Sequence, residues 1–152
     1  MPISITLHVL AATIWVGGMF FAYMVLRPAA LTLEPATRLP LWSHTFARFF
    51  PWVWVAVILL PLTGYAMIFV GFGGFAQAGK YIHIMHATGM IMIVIFLYVV
   101  LAPYRRLNKA LTASNLAAAG EQLARIRQLI GVNLVLGLVT TVIAKSGAYW
   151  LN

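Results

Sequence analysis

The stretch Tyr81-Ile-His-Ile-Met-His-Ala-Thr-Gly-Met-Ile-Met-Ile-Val-Ile-Phe-Leu-Tyr-Val-Val-Leu-Ala102 carries no charged side chain, and its two histidines stand near its start. A helix rises about 1.5 Å per residue, so about 20 apolar residues cross roughly 30 Å of hydrocarbon. Three other runs have the same character: Ile3–Leu26, Trp52–Val70, and Leu129–Lys145 with its aromatic tail. Backbone in lipid must satisfy its own hydrogen bonds, which a helix does within one segment. The alternating short segments of a membrane β-barrel are missing. The reading is an all-α integral membrane protein, a four-helix up-down-up-down bundle forming one domain over residues 1–152. Its spans are placed near 3–26, 52–70, 81–102 and 128–148, with loops at 27–51 and 103–127.

Composition supports this. The 152 residues are 63% hydrophobic and 8% charged, with a mean hydropathy of +0.97. A soluble domain of this size needs a more polar exterior. The formal charge of +8 is distributed unevenly. Arg27, Arg38, Arg48, Arg105, Arg106, Lys109, Arg125 and Arg127 fall in or beside the first and third loops, and only Lys80 and Lys145 lie toward the other side. This positive-inside asymmetry places those loops in the cytoplasm and both termini in the periplasm of a bacterial inner membrane. The basic charge therefore reads as topology and attraction to the lipid bilayer, with no nucleic-acid partner. The first apolar run is too long for a signal peptide and is read as a retained helix.

Several chemistries lack residues. There is no cysteine, so disulfides and thiolate ligands are excluded. There is no aspartate, and Glu34 and Glu121 both lie in the basic loops, so paired-carboxylate catalysis has nothing to run on. Prolines punctuate the chain: Arg27-Pro28 stops the first span, Pro51 opens the second or separates it from an interfacial helix at 41–50, and Pro61 kinks it. Asn133 in the last span reads as an interhelical hydrogen-bonding residue, and Gly131 and Gly137 favour close packing.

The histidines are the candidate chemistry. His8 is roughly 7 Å into the first span, and His83 and His86 are roughly 3 to 8 Å into the third, which enters from the same side. Polar groups in lipid are costly and are retained for function. Two imidazoles on parallel helices could grip a haem b, with His8 opposite His83 or His86 and with Ala11, Ala12, Ala87 and Gly89 leaving room for a macrocycle. On that reading Trp15 lies along the His8 face, and Lys80, Tyr81, Lys145 and Tyr149 could meet propionates at the water boundary. Such a haem would favour electron transfer, with a quinone or soluble electron carrier as partner and a homodimer as a reasonable assembly. The alternative is copper, since imidazoles with thioethers suit Cu(I) and Met19, Met67, Met85, Met90 and Met92 are all intramembrane. His44, at the cytoplasmic end of the second span, reads as an interfacial residue.

Two motifs carry a family resemblance. Leu7-His-Val-Leu-Ala-Ala-Thr-Ile-Trp-Val-Gly-Gly-Met-Phe-Phe21 resembles the first helix of the CopD-like (copper-resistance D) superfamily, and Arg125-Ile-Arg-Gln-Leu-Ile-Gly-Val-Asn-Leu-Val-Leu-Gly137 resembles the opening of its last helix. HemJ-type protoporphyrinogen oxidases are similar in size and layout, and that resemblance implies His8 as a haem ligand and an oxidase activity as a further alternative. Where those proteins carry Asn-Glu-Val-Pro, this chain has Gly131-Val132-Asn133-Leu134.

Overall fold

The computed structural model describes residues 1–151. Four long helices follow one another: α1 (Pro2–Ala30), α2 (Pro35–Gly71), α3 (Lys80–Thr112) and α4 (Leu116–Trp150). No strand occurs among the described residues. Each helix is long and apolar enough to cross a membrane, with mean hydropathies between 1.8 and 2.4 in its most apolar window. The molecule is an all-α, multi-pass membrane bundle.

Packing explains the wide apolar exterior. Each helix buries a narrow stripe at helical spacing: Ala11, Trp15, Met19 and Ala22 on α1, for example, or Trp42, Phe46, Phe50 and Val53 on α2. The remaining faces show large apolar side chains, such as Ile3, Ile58, Val94, Leu101, Val135 and Val142. Distributed along every helix, these side chains suit a lipid solvent. Helix α1 packs chiefly on α2, and α3 on α4, while α4 also meets α1 and α2. Helices α1 and α3 touch where the Trp15 and Phe96 rings meet edge to face at 6.2 Å. Asn133 bridges α4 to α3, its Nδ2 donating to the Met92 carbonyl at 3.2 Å. Nearby, Thr140 Oγ1 donates to Thr88 Oγ1 at 2.7 Å.

The stretches 27–51 and 103–127 between the four spans are mostly helix, as the alanine-rich composition of 104–127 leads one to expect. Helix α2 begins at Pro35 and continues through Pro40, Pro51 and Pro61. Pro51 neither opens it nor separates an interfacial helix. A proline removes one backbone donor and crowds the carbonyl four residues back. Here Trp42, Phe46 and Phe50 lie on one buried stripe with Val53 beyond the proline, so side-chain packing holds both halves in line. The Phe46 and Phe50 rings stack at 5.2 Å, and Tyr104 of α3 closes on both at 6.1 and 4.9 Å. Elsewhere the strain is absorbed by widened turns. Residues Val100–Tyr104 form a π-helical segment that contains Pro103, and Phe21–Leu26 form another just before Pro28.

At about 55 Å, the 37 residues of α2 exceed the hydrocarbon thickness and carry the bundle beyond the membrane on the basic side. There α3 and α4 are joined by only Ala113, Ser114 and Asn115. Ser114 takes a left-handed conformation (φ 53°), and Asn115 Oδ1 accepts the Ala118 N–H at 3.0 Å, capping α4. Asn115→Ala is expected to lower stability by about 1 kcal/mol in a denaturant titration of the detergent-solubilised protein. An unchanged midpoint would show that the tight turn alone starts the helix.

Candidate functional site

His8 sits in the second turn of α1, half-buried against α2. Its Nδ1 lies 2.8 Å from Thr63 Oγ1. The Thr63 hydroxyl has one hydrogen, and it donates to the Leu59 carbonyl at 2.6 Å. With that hydrogen given to Leu59, the oxygen accepts from the imidazole, the tautomer in which Nδ1 carries the proton and Nε2 is the nitrogen available to a metal. An oxygen behind the ring that fixes the tautomer in this way is the usual support of a metal-binding histidine. Gly64 makes room for the ring: a Cβ there would stand 3.5 Å from His8 Cε1. Thr63→Val keeps the shape and removes the acceptor. We expect histidine ¹⁵N spectra of this variant to show mixed tautomers at His8, and copper(I) affinity to fall about tenfold. An unchanged spectrum would mean that another group orients the ring.

His83 and His86 occupy the first two turns of α3, His83 exposed and His86 half-buried. Both pack against Phe75, with ring centroids 5.7 and 5.3 Å away, and Tyr65 of α2 lies 5.4 Å from His86. Phe75 belongs to a short 3₁₀ turn (Phe75–Gln77) in the α2–α3 connection. Gly73 and Gly74 lead into it at φ 75° and 116°, a conformation open to glycine. Thr63, Gly64 and Tyr65 are consecutive on α2, so one turn of that helix stands between the imidazole of α1 and those of α3.

This arrangement separates the expected trio. Among the described residues no cluster of three or more histidine, cysteine or acidic side chains could share one metal ion. A haem gripped between His8 and an α3 histidine finds no support here, since His8 rests against Thr63 and Gly64 of α2 and His86 against Tyr65. The other residues expected around a haem are dispersed as well. Trp15 is buried in the core against Phe96, away from the bundle end. Tyr81 packs on α4, where Gly147 faces its Cβ, and Lys80 and Lys145 are exposed. Of the methionines, Met19 and Met92 point into the core, whereas Met90 is 41% exposed.

Two cavities lie elsewhere. An open cleft of about 530 Å³ at the basic end is lined by Ser43, His44, Asn108, Thr112 and Ser114 among others, with Ser43 Oγ donating to Asn108 Oδ1 at 2.6 Å. A void of about 20 Å³ in the membrane centre is bounded by Trp15, Met19, Phe50, Phe96 and Asn133. The Asn133 Oδ1 is buried and has no hydrogen-bond partner.

Thr63, Tyr65 and Phe75 escaped the sequence reading. Thr63 left a signal, since it is the one aliphatic hydroxyl in Trp52–Val70. Phe75 left none, because its contact with two imidazoles depends on how an irregular connection folds back.

No curated protein and no solved structure matches the chain. A family model described as copper resistance protein D matches residues 43–146. That stretch takes in all of α3 with His83 and His86 and most of α2 and α4, while His8 precedes it. It spans well over half of the chain, and the protein therefore belongs to the CopD (copper resistance protein D) family.

Proposed function

We propose that this protein binds copper(I) as its substrate at the end of the bundle where the chain begins and ends, and handles it for the membrane. His83 and His86 on α3 and, across the α2 turn, His8 on α1 would offer the ion imidazole nitrogens at two separate points, and buried Met19 and Met92 offer thioethers deeper along the same two helices. The carrying observation is the Thr63 hydroxyl 2.8 Å from His8 Nδ1, which supports a ring turned to offer Nε2 to a metal. Imidazole and thioether donors without carboxylate or thiolate suit Cu(I). Family membership favours copper over haem b. The uneven placement of basic residues supports a bacterial inner-membrane location with this end facing the periplasm.

The test is an anaerobic Cu(I) titration of the purified protein against a chromophoric chelator, with a visible spectrum on the same sample. The expected result is stoichiometric Cu(I) and no haem band. Absence of copper binding would overturn the proposal. A sharp reduced α band with stoichiometric iron would instead return the reading to a b-type haem, with a quinone or soluble electron carrier as its partner.

A further inference from the structure

At the basic end of the bundle, one corner gathers positive charge from three helices. Tyr23 of α1 lies flat against Gly131 of α4: a Cβ at Gly131 would stand 3.0 Å from Tyr23 Cε2 and 3.3 Å from its hydroxyl oxygen. The Arg27 guanidinium carbon sits 4.9 Å over the same ring, a cation–π contact from the end of α1. One turn before Gly131 on α4 stands half-buried Arg127. Arg27 and Arg38 both lie near enough for their charges to act on Arg127, as does the Tyr23 phenol. Arg38, at the start of α2, spends one N–H on the Leu33 carbonyl at 3.3 Å, which turns it back toward the α1–α2 connection.

Three guanidiniums drawn together repel one another, and the chain has only two acidic residues to offset them, Glu34 and Glu121. Guanidinium groups are matched in geometry to phosphate oxygens, which they bind with paired hydrogen bonds. We infer that Arg27, Arg38 and Arg127 form a binding site for one phosphate group at the membrane boundary. Phe21, Met24 and Val25, just membrane-side of Arg27, are all exposed. They would lie beside the acyl chains if the phosphate belongs to an anionic phospholipid. Tyr23 acts as the platform, and glycine at 131 lets it lie close enough to bring Arg27 beside Arg127.

The probes are dioleoylphosphatidylglycerol, dioleoylphosphatidylcholine and inorganic phosphate, added to the full-length protein in detergent. Native mass spectrometry counts retained lipid, and thermal unfolding follows each addition. We expect phosphatidylglycerol to be retained and to raise the unfolding temperature, with phosphatidylcholine ineffective. Affinity should fall about fivefold for each arginine removed, in Arg27→Gln and in Arg127→Gln. Arg105→Gln and Arg106→Gln, exposed on α3, should leave it unchanged. If Arg127→Gln fails to fold, Arg27→Gln at the helix end still decides the matter. Stabilisation by inorganic phosphate but not by phosphatidylglycerol would support the site with free phosphate as its source. Equal loss in the α3 variants would mean general surface charge and would overturn the site, as would retention that survives Arg27→Gln. Copper binding does not enter this test, so the phosphate site stands or falls separately from the copper reading.

Discussion

In His86→Ala, copper(I) affinity is expected to drop on the order of 100-fold, more than the loss of an orienting partner causes. His86 is half-buried near the start of α3, between Tyr65 of α2 and Phe75 of the α2–α3 connection. Its ring therefore has little freedom, and on the copper reading its removal would take away a pre-positioned ligand. Imidazole is the strongest donor available there, because the chain has no cysteine and places no acidic residue at this end. His44→Ala is the matched comparison. That histidine lines the cleft at the opposite, basic end, so its loss should leave the affinity unchanged. Chelator competition measures both, and far-UV circular dichroism with a thermal melt checks that each variant is folded. Equal affinities for His86→Ala and the unmodified protein would remove α3 from the site. A loss in His44→Ala as large as that in His86→Ala would point to copper bound at the basic end.

Gly147→Ala should cost about 1–2 kcal/mol of stability, although alanine is the better helix former by about 1 kcal/mol. A Cβ at position 147 would stand 2.6 Å from Tyr81 Cβ and 3.3 Å from its Cγ. The Tyr81 Cβ is fixed to the α3 backbone, so no rotamer change relieves the overlap and the two helices must part. The strained end of α3 is the one that carries His83 and His86, so copper(I) affinity should fall with stability. Gly120→Ala on the same helix separates packing from propensity. Nothing lies within 4 Å of a Cβ there, so that substitution should stabilise the protein by about 0.5–1 kcal/mol. Denaturant titrations of both variants in one detergent give the comparison. If Gly147→Ala is as stable as Gly120→Ala, the α3–α4 contact is looser than its geometry implies.

The chain order of residue types determined the four spans, their alternation and the all-α class. Each depends on a property that adds along the chain: apolar residues per length of helix, and the absence of charge within it. The charge asymmetry was also plain from composition, and so was the shared end of His8, His83 and His86, because parallel helices entered from one side bring equal offsets to equal depths. Asn133 was legible for a similar reason: an amide in the middle of an apolar helix must find a partner on a neighbour, and it finds the Met92 carbonyl.

Tertiary structure alone decided what those groups touch. Equal depth does not make contact, because helix rotation and order around the bundle set which faces meet. The turn Thr63–Tyr65 of α2 stands between His8 and His86, so the shared site expected for a haem gave way to two supported imidazole environments. The prolines show the same limit. Locally, Pro51 argues for a helix boundary, yet α2 runs through it because the aromatic ladder Trp42–Phe46–Phe50 with Tyr104 of α3 packs before the proline and Trp54 meets Phe96 of α3 beyond it. Hydropathy is summed along one dimension and survives such local exceptions. Hydrogen-bond partners, ring contacts and the meeting of Arg27 with Arg127 depend on three-dimensional packing, which residue spacing does not encode.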